Sequence, residues 1–334
     1  MKVDGGIGGF DTAADMAKMQ EDQGYDGLWT AETSHNPFYP LLLASQKTEK
    51  IQLGTGIAVA FARNPMITAM DANDIQLASK GRHLLGLGSQ IKPHIEKRFS
   101  MPWSHPAPRM REFVLAMRAI WDSWNNGSKL DFRGDFYSHT LMTPFFNPGP
   151  NPYGPPKVFL AAVGEHMTEV AGEVCDGLLV HPFSTERYMK EVTLPALERG
   201  LQKAGKSRAD LELSYTAFVV TGSDKEAEAA AGMVRNQISF YGSTPAYRGV
   251  LELHGWGDLQ TELNTLSKQG KWQDMANLIT DDILETFAVV APLDQVADKI
   301  VERYGDVIDR TGFYVPISQD PDARGEVIKA LQAA

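Results

Sequence analysis

Short apolar runs alternate with amphipathic stretches along most of the chain, and this alternation predicts repeated strand–helix units. In the first third, strand starts recur roughly every 25 residues, the length of a strand and a helix joined by short loops. The eight predicted strands begin near Lys2, Gly27, Ile51, Arg82, Lys157, Asp176, Leu211 and Gly312. Each run is apolar enough to be buried on both faces, and nearly all precede a helical stretch. The pattern therefore predicts an α/β fold, a (β/α)8 TIM barrel.

Two stretches interrupt the alternation and are predicted to be insertions within a single domain spanning residues 1–334. Residues 91–156 combine a basic, proline-rich loop with the clearest helix of the chain, Pro108 to Trp124, whose apolar residues recur at helical spacing. Residues 242–286 are predicted to be a helical insertion between the seventh and eighth strands. Their aromatic residues, Tyr247 among them, suit a wall or lid over the barrel mouth, or pack the helices together.

A doubly wound open sheet is the structural alternative to the barrel. It would require a glycine-rich dinucleotide-binding turn after an early strand. The stretch "GGIGGF" does not supply the G-x-G-x-x-G spacing, and "GLGSQI" lacks the third glycine. The barrel is therefore favoured.

Composition and charge narrow the classes of function. Hydrophobic residues make up 43% of the chain, enough for a sizeable core, and no apolar run is long enough to span a membrane. The net charge of −10 disfavours a nucleic-acid partner or an anionic membrane surface, although "IKPHIEKR" is a local basic run. Cys175, the single cysteine, excludes an internal disulfide, and the first residues lack an apolar signal region. Together these features predict a cytoplasmic protein.

Polar residues cluster where the predicted strands end, the edge at which barrel enzymes place their chemistry. The second strand runs into Glu32, Thr33, Ser34 and His35, and the sixth ends at His181. An imidazole titrates near neutral pH and can exchange a proton with a substrate, but a single loop histidine is as often an ordinary surface residue.

Glycines mark the ends of the third and fifth strands. Gly54 and Gly56 within the third strand indicate a bulge or the close approach of a ligand. Gly164, just before a helix, leaves backbone N–H groups free to hold a phosphate, or it forms a plain tight turn.

These stretches together resemble a known family, the bacterial luciferase-like flavin and deazaflavin enzymes. The motifs that carry the resemblance are "GYDGLWTAE" with His35 after it, "LGTGIAVAFARNP", "GRHLLGLGS", "AAVGEHMTEVAGEVCDGLL" and "FAVVAPLDQVADKI". The resemblance covers nearly the whole chain and is greatest to the enzymes that use the deazaflavin coenzyme F420. It implies an F420-dependent oxidoreductase. An FMN-dependent monooxygenase of the same fold and a non-catalytic coenzyme-binding protein are the alternatives.

The resemblance implies where coenzyme F420, or FMN in the alternative, would bind. Similar proteins carry a bulge with a non-prolyl cis peptide behind the tricyclic ring, and the matching bond here is Gly56–Ile57. The phosphate matches the loops after the fourth and fifth strands, with the charged Glu165 side chain turned away from it. The predicted cofactor-binding residues are Ser34, His35, Thr55, Gly56, Ile57, Gly88, Ser89, Gln90, Ala162, Val163, Gly164, Glu165 and His166.

The resemblance also implies the catalytic residues. His35 matches a position beside the reactive carbon of the ring, and Tyr39 matches an aromatic position near the substrate. Related sugar-phosphate dehydrogenases carry a glutamate after the fourth-strand glycines, where this chain has Gln90 and Ile91, so glucose 6-phosphate is disfavoured. Glu32 is predicted to replace that acid, or to be a strand-end carboxylate hydrogen-bonded to the backbone.

A small organic molecule is the expected substrate, and alcohols, hydroxy acids, enones and aldehydes all remain open. The eight histidines are scattered and form no H-E-x-x-H motif or close pair, which disfavours a metal-dependent hydrolase and predicts no metal site. Similar proteins are commonly dimers, so a homodimer is expected, with no nucleic-acid or membrane partner.

Overall fold

Eight parallel strands close into a barrel in the computed structural model, which describes residues 1–334. The strands are β1 (Lys2–Gly6), β2 (Gly27–Thr30), β3 (Gln52–Thr55), β4 (His83–Gly88), β5 (Lys157–Ala162), β6 (Gly177–Val180), β7 (Glu212–Val220) and β8 (Arg310–Phe313). Each strand pairs in parallel with the next, and β8 returns to β1, with Thr311 opposite Val3. The predicted (β/α)8 TIM barrel is confirmed, and its strands start close to where the apolar runs begin.

Helices cover the outside of the barrel and one end of it. They are α1 (Ala13–Asp22), α2 (Phe38–Ser45), α3 (Pro65–Ala78), α4 (Pro106–Asn126), α5 (Glu165–Val174), α6 (Leu194–Ala204), α7 (Asp224–Gly242), α8 (Arg248–Leu253), α9 (Gly257–Lys268), α10 (Trp272–Asn277), α11 (Asp281–Phe287), α12 (Val296–Tyr304) and α13 (Pro321–Ala333). Short helical segments occupy His94–Arg98, Glu186–Tyr188 and Met189–Thr193. None of the helices combines the length and the apolar character that crossing a lipid bilayer would require.

α4 shows how the periodic pattern becomes packing. Its buried apolar residues are Met110, Phe113, Val114, Ala116, Met117, Ile120, Trp121 and Trp124. The Trp121 Nε1–H donates a hydrogen bond to the carbonyl of Ala69 on α3 at 3.1 Å, so this large side chain is buried with its polar atom paired. Gly127, in the left-handed conformation with φ of 72°, ends the helix.

The insertion between β7 and β8 packs with the end of β7 in a second hydrophobic cluster. Helices α7 to α11 share it, and Ile238 of α7 is buried in the same cluster as Leu263 and Met275 of the later helices. α7 therefore packs both against β7, whose Phe218 and Val220 lie in the same cluster, and against the helices of the insertion. Helical periodicity shows that one face of α7 is buried but not which partner buries it. A short strand, Ala288–Val290, pairs with the end of β7 and leads the chain back to the barrel.

A buried ion network fills the barrel at the N-terminal ends of its strands. Arg310 on β8 is fully buried and donates two hydrogen bonds to Asp4 on β1, 2.7 and 2.8 Å long. It also donates to Glu212 on β7 at 3.0 Å. Burial raises the pKa of Glu212, but hydrogen bonds from Lys157, Lys2 and Arg310 outweigh burial and lower the pKa to about 2. These bonds join four strands at the floor of the barrel.

We expect Glu212→Gln to destabilise the fold by about 1–3 kcal/mol at pH 7, because the pKa of Glu212 is lower in the folded state than its ordinary value of 4.5. This stabilisation is fully present above the unfolded-state pKa and is lost as the pH falls toward 2. Urea denaturation at several pH values should therefore show a weaker acid dependence in the variant. Glu326→Gln is the matched control, since Glu326 pairs with Lys329 on the surface and should leave stability unchanged. Equal losses in both variants would contradict this account.

Candidate active site at the barrel mouth

Hydrogen bonds connect the end of β2 to the segment that follows β3. The Glu32 carboxylate accepts hydrogen bonds from the Val59 N–H at 2.7 Å and from Arg63 Nη1 at 2.6 Å, and its side chain is 9% exposed. The Glu32 N–H donates to the carbonyl of Ile57 at 3.2 Å. Of the two roles predicted for Glu32, the structure supports the strand-end carboxylate. The catalytic role of Glu32 stays a prediction, and in this structure its charge is paired with Arg63.

The loop after β2 presents its polar side chains to solvent. Ser34 and His35 are exposed, and neither side chain makes a hydrogen bond within the chain. The loop is anchored behind them, since Thr30 Oγ1 donates to the carbonyl of Pro37 at 2.8 Å. Tyr39, in the first turn of α2, is 58% exposed. The predicted catalytic imidazole and phenol are therefore accessible side chains on a fixed backbone.

β3 ends in a bulge that packs against Trp29. The Gly56–Ile57 peptide bond is cis, as predicted. A Cβ on Gly54 would lie 2.3 Å from the Trp29 ring, and a Cβ on Gly56 would lie 3.2 Å from the Trp29 Cβ, so both glycines allow a close approach. The ring is oriented by a hydrogen bond from its Nε1 to Asp4 Oδ2 at 2.9 Å.

β4 supports the bulge from the other side. Thr55 Oγ1 donates to the carbonyl of Gly86 at 2.7 Å and accepts from the Gly86 N–H at 2.9 Å, and Thr55 is fully buried. The predicted cofactor contact of Thr55 stays a prediction, and in this structure its hydroxyl is hydrogen-bonded to β4. Gly88 is also buried, and a Cβ there would lie 2.8 Å from the Ile57 side chain. Gly88 therefore gives Ile57 its space beside the bulge.

The loop after β4 turns sharply and reaches the loop after β2. Gln90 has a left-handed backbone with φ of 60°, and its Oε1 accepts the N–H of Ile91 at 3.0 Å. Ser89 Oγ donates to the Gln90 carbonyl at 3.2 Å. Further along, Arg98 donates to the carbonyl of Thr33. The two loops therefore meet at the mouth, and the bulge of β3 lies between their strands.

α5 begins directly after β5 with its first backbone N–H groups uncapped. Gly164 precedes the helix, no side chain caps it, and a Cβ on Gly164 would meet nothing within 4 Å. The Glu165 carboxylate pairs with Arg199 at 2.8 Å, which agrees with the prediction that this acid turns away from a phosphate. His166 is exposed, whereas Ala162 is buried. The helix N-terminus is therefore open to an anion, and the acid beside it is neutralised.

A group of rings, which we call the aromatic wall, lies at the ends of β6 and β8. It consists of His181, Tyr241, Tyr247 and Tyr314. The ring centroids of Tyr241 and Tyr247 lie 4.6 and 4.8 Å from that of His181, and the Tyr241 and Tyr314 hydroxyls are 2.9 Å apart. Burial lowers the pKa of His181 to about 4 and raises the pKa of Tyr247 to about 12. Both groups are therefore neutral near pH 7.

A comparison with known protein families matches this chain to one of them. A family model described as luciferase-like monooxygenase matches residues 2–310. The chain belongs to the luciferase-like monooxygenase family.

Relatives of this luciferase-like protein share most of its length. An uncharacterised protein of Mycobacterium tuberculosis is 57% identical over 312 residues, which cover 93% of this chain and 92% of that protein. The 5,10-methylenetetrahydromethanopterin reductase of Archaeoglobus fulgidus is 29% identical over 295 residues, which cover 85% of this chain and 83% of the reductase. The solved structure of the coenzyme F420-dependent tetrahydromethanopterin reductase from Methanopyrus kandleri superimposes with a TM-score of 0.78 at 21% identity, covering 99% and 97%.

The sequence pattern does not identify several residues that the structure brings to this site of the luciferase-like protein. In the sequence, Trp29 is an ordinary apolar strand residue, and no pattern distinguishes Arg63 or the Tyr241–Tyr314 pair. Gly54 and Gly56 are the one feature of the sequence that points to Trp29. Two glycines so close together leave space that a bulky neighbouring side chain must fill. The tyrosine pair gave no signal, since its members are far apart in the sequence.

We expect Gly54→Ala to destabilise this luciferase-like protein by about 1–3 kcal/mol, because the new methyl group would overlap the Trp29 ring. Gly8→Ala is the matched control, since a Cβ on Gly8 meets nothing within 4 Å. Urea denaturation followed by tryptophan fluorescence measures the difference. A loss in the control as large as that in the Gly54 variant would contradict the packing described here.

We expect the His181 imidazole to remain neutral as the pH is lowered from 8 to about 5, because burial lowers its pKa to about 4 from an ordinary 6.5. The neutral ring contributes stability that is full above pH 6.5 and is lost as the pH falls through 4. NMR titration of protein with ¹⁵N-labelled histidine tests this, and His181→Gln assigns the signal. Titration of that signal near pH 6.5 would contradict the buried environment.

Proposed function

We propose that this chain is an F420-dependent oxidoreductase that transfers a hydride between the deazaflavin and a small organic substrate. The observation that carries the proposal is the bulge after β3, which packs on Trp29 and lies between the strands that lead to the β2 and β4 loops. Membership of the luciferase-like family supports it. So does the F420 dependence of the methanopterin reductase whose fold this chain shares.

The residues present fit such a coenzyme. The bulge offers backbone and the Ile57 side chain, an uncharged surface that suits a flat ring system. The uncapped N-terminus of α5 suits the coenzyme phosphate, because its N–H groups and the helix dipole favour an anion. Gly164 leaves that approach clear, and Arg199 draws the Glu165 carboxylate to itself.

The chain's own part in the reaction is positioning and proton transfer. When bound, the deazaflavin would supply or accept the hydride at its C5 carbon. The exposed His35 imidazole gives or takes the proton on the substrate oxygen, since no hydrogen bond within the chain occupies its ring nitrogens. Glu32 holds the start of the His35 loop through Val59 and Arg63.

We expect His35→Ala to lower kcat with reduced F420 by roughly 10²–10⁴-fold and to leave the Kd for F420 nearly unchanged, because the imidazole moves a proton and is only one of many predicted contacts to the coenzyme. Stopped-flow kinetics and calorimetric titration measure the two effects. His94→Ala is the matched control, an exposed histidine in the short helical segment His94–Arg98 and outside the proposed site. Unchanged turnover in the His35 variant would remove it from the mechanism.

Calorimetric titration with F420 and with FMN tests the proposal itself. We expect F420 to bind and to support turnover of at least one alcohol, aldehyde, enone or hydroxy acid. Binding of FMN without binding of F420 would contradict the proposal and favour an FMN-dependent monooxygenase. Binding of F420 without turnover across that panel would contradict catalysis and favour a coenzyme-binding protein.

A further inference from the structure

Building on the proposed function, we propose that the aromatic wall recognises the substrate and that His181 Nε2–H donates a hydrogen bond to the oxygen of an uncharged ketone, aldehyde or enone. β2, which leads to His35, and β6, which leads to His181, are four strands apart in the ring of eight. The two imidazoles therefore stand on opposite sides of the barrel mouth. A ligand bound at the mouth meets a proton-transfer group on one side and the wall on the other.

One hydrogen bond determines which His181 nitrogen is the donor. Nδ1 accepts the backbone N–H of Phe183 at 3.0 Å, so the proton of the neutral ring is on Nε2. Nε2 makes no hydrogen bond within the chain, and the mostly buried His181 keeps part of its surface exposed. The fold orients this N–H donor but gives it no acceptor. A ligand oxygen would supply the missing acceptor.

Neighbouring rings hold the imidazole and supply a carbon-rich surface. Tyr241 meets His181 edge to face at an interplanar angle of 81°, and Tyr247 lies against it at 49°. Phe183 stacks with Tyr247 at a centroid distance of 6.1 Å. Contacts from two sides restrict rotation of the imidazole, and their ring carbons suit the apolar body of a substrate.

The tyrosine pair adds a second uncharged donor. The hydroxyls of Tyr241 and Tyr314 are hydrogen-bonded to each other at 2.9 Å. One hydroxyl proton makes that bond, and the other stays available, because each phenol carries one donor. The wall can therefore donate to a ligand from two neutral groups.

The wall carries no charge that would balance an anionic substrate. Burial is the main cause of the pKa shifts of His181, Tyr247 and Tyr314. The only other cause is Tyr241, and no charged group contributes. Arg248, next to Tyr247 in the chain, is engaged with Glu252 at 2.6 Å. A phosphate or carboxylate against these rings would lose its hydration without gaining a cation. An uncharged carbonyl oxygen loses less hydration free energy than an anion and still accepts the hydrogen bond from His181 Nε2–H.

The test measures binding to protein loaded with oxidised F420, so it does not depend on turnover. The probes are cyclohexanone, 2-cyclohexen-1-one and benzaldehyde, with glucose 6-phosphate as the anionic comparison, and the measurement is saturation-transfer NMR with titration. We expect at least one carbonyl probe to bind and glucose 6-phosphate not to bind. His181→Ala should raise the Kd of that probe about tenfold, the effect of one neutral hydrogen bond.

His181→Gln separates hydrogen bonding from a general structural effect. The glutamine amide N–H can occupy the place of Nε2–H, so this variant should recover most of the lost affinity, whereas His94→Ala should bind like the wild type. Both His181 variants should keep the wild-type Kd for F420. No carbonyl binding, tighter binding of glucose 6-phosphate, or equal losses in His181→Ala and His181→Gln would each overturn the proposal. Failure of the wild type to bind F420 would instead overturn the proposed function on which this inference rests.

Discussion

A fully buried ion pair at the floor of the barrel determines the geometry of the site at its mouth. Arg310 binds both carboxylate oxygens of Asp4, and Asp4 Oδ2 also accepts the Nε1–H of Trp29. The Trp29 ring in turn packs against Gly54 in the strand that leads to the bulge. Removing two charges from water is costly unless their hydrogen-bonding capacity is satisfied, so each partner keeps the others in place. The position of the bulge therefore depends on charges at the opposite end of the barrel.

Close approach between strands is the second requirement of this arrangement. A Cβ on Gly27 would lie 2.5 Å from both Arg310 Nη2 and Asp4 Oδ1, and a Cβ on Gly86 would lie 1.9 Å from the Thr55 carbonyl oxygen. Side chains at these positions would displace the ion pair or separate β3 from β4. Because protein interiors are close-packed, such a shift would reach the bulge.

The two sides of the mouth differ in chemistry because different parts of the chain build them. The β2 to β4 side consists of segments that follow the barrel strands and are tied together by Glu32, Arg63 and Arg98, and it leaves His35 exposed on a fixed backbone. The opposite side is built largely by α7 and the insertion, whose shared hydrophobic cluster brings Tyr241 beside His181 at the end of β6. The proposed proton transfer would take place on the fixed polar side, and the proposed recognition of an uncharged substrate on the neutral aromatic side.

The sequence by itself determined the eight strands, the buried face of α4 and the places where polar residues leave the strands, because hydrophobic periodicity records local burial. Resemblance to the luciferase-like family located the Gly56–Ile57 bond and the α5 N-terminus. Only the tertiary structure decided that Glu32 is paired with Arg63, that the Thr55 hydroxyl is used on β4, and that α7 packs with the insertion. It also decided that Tyr241 and Tyr314 join His181 in one wall. These features are contacts between residues far apart in the chain, and a pattern of period 2 or 3.6 shows that a side chain is buried without showing its partner.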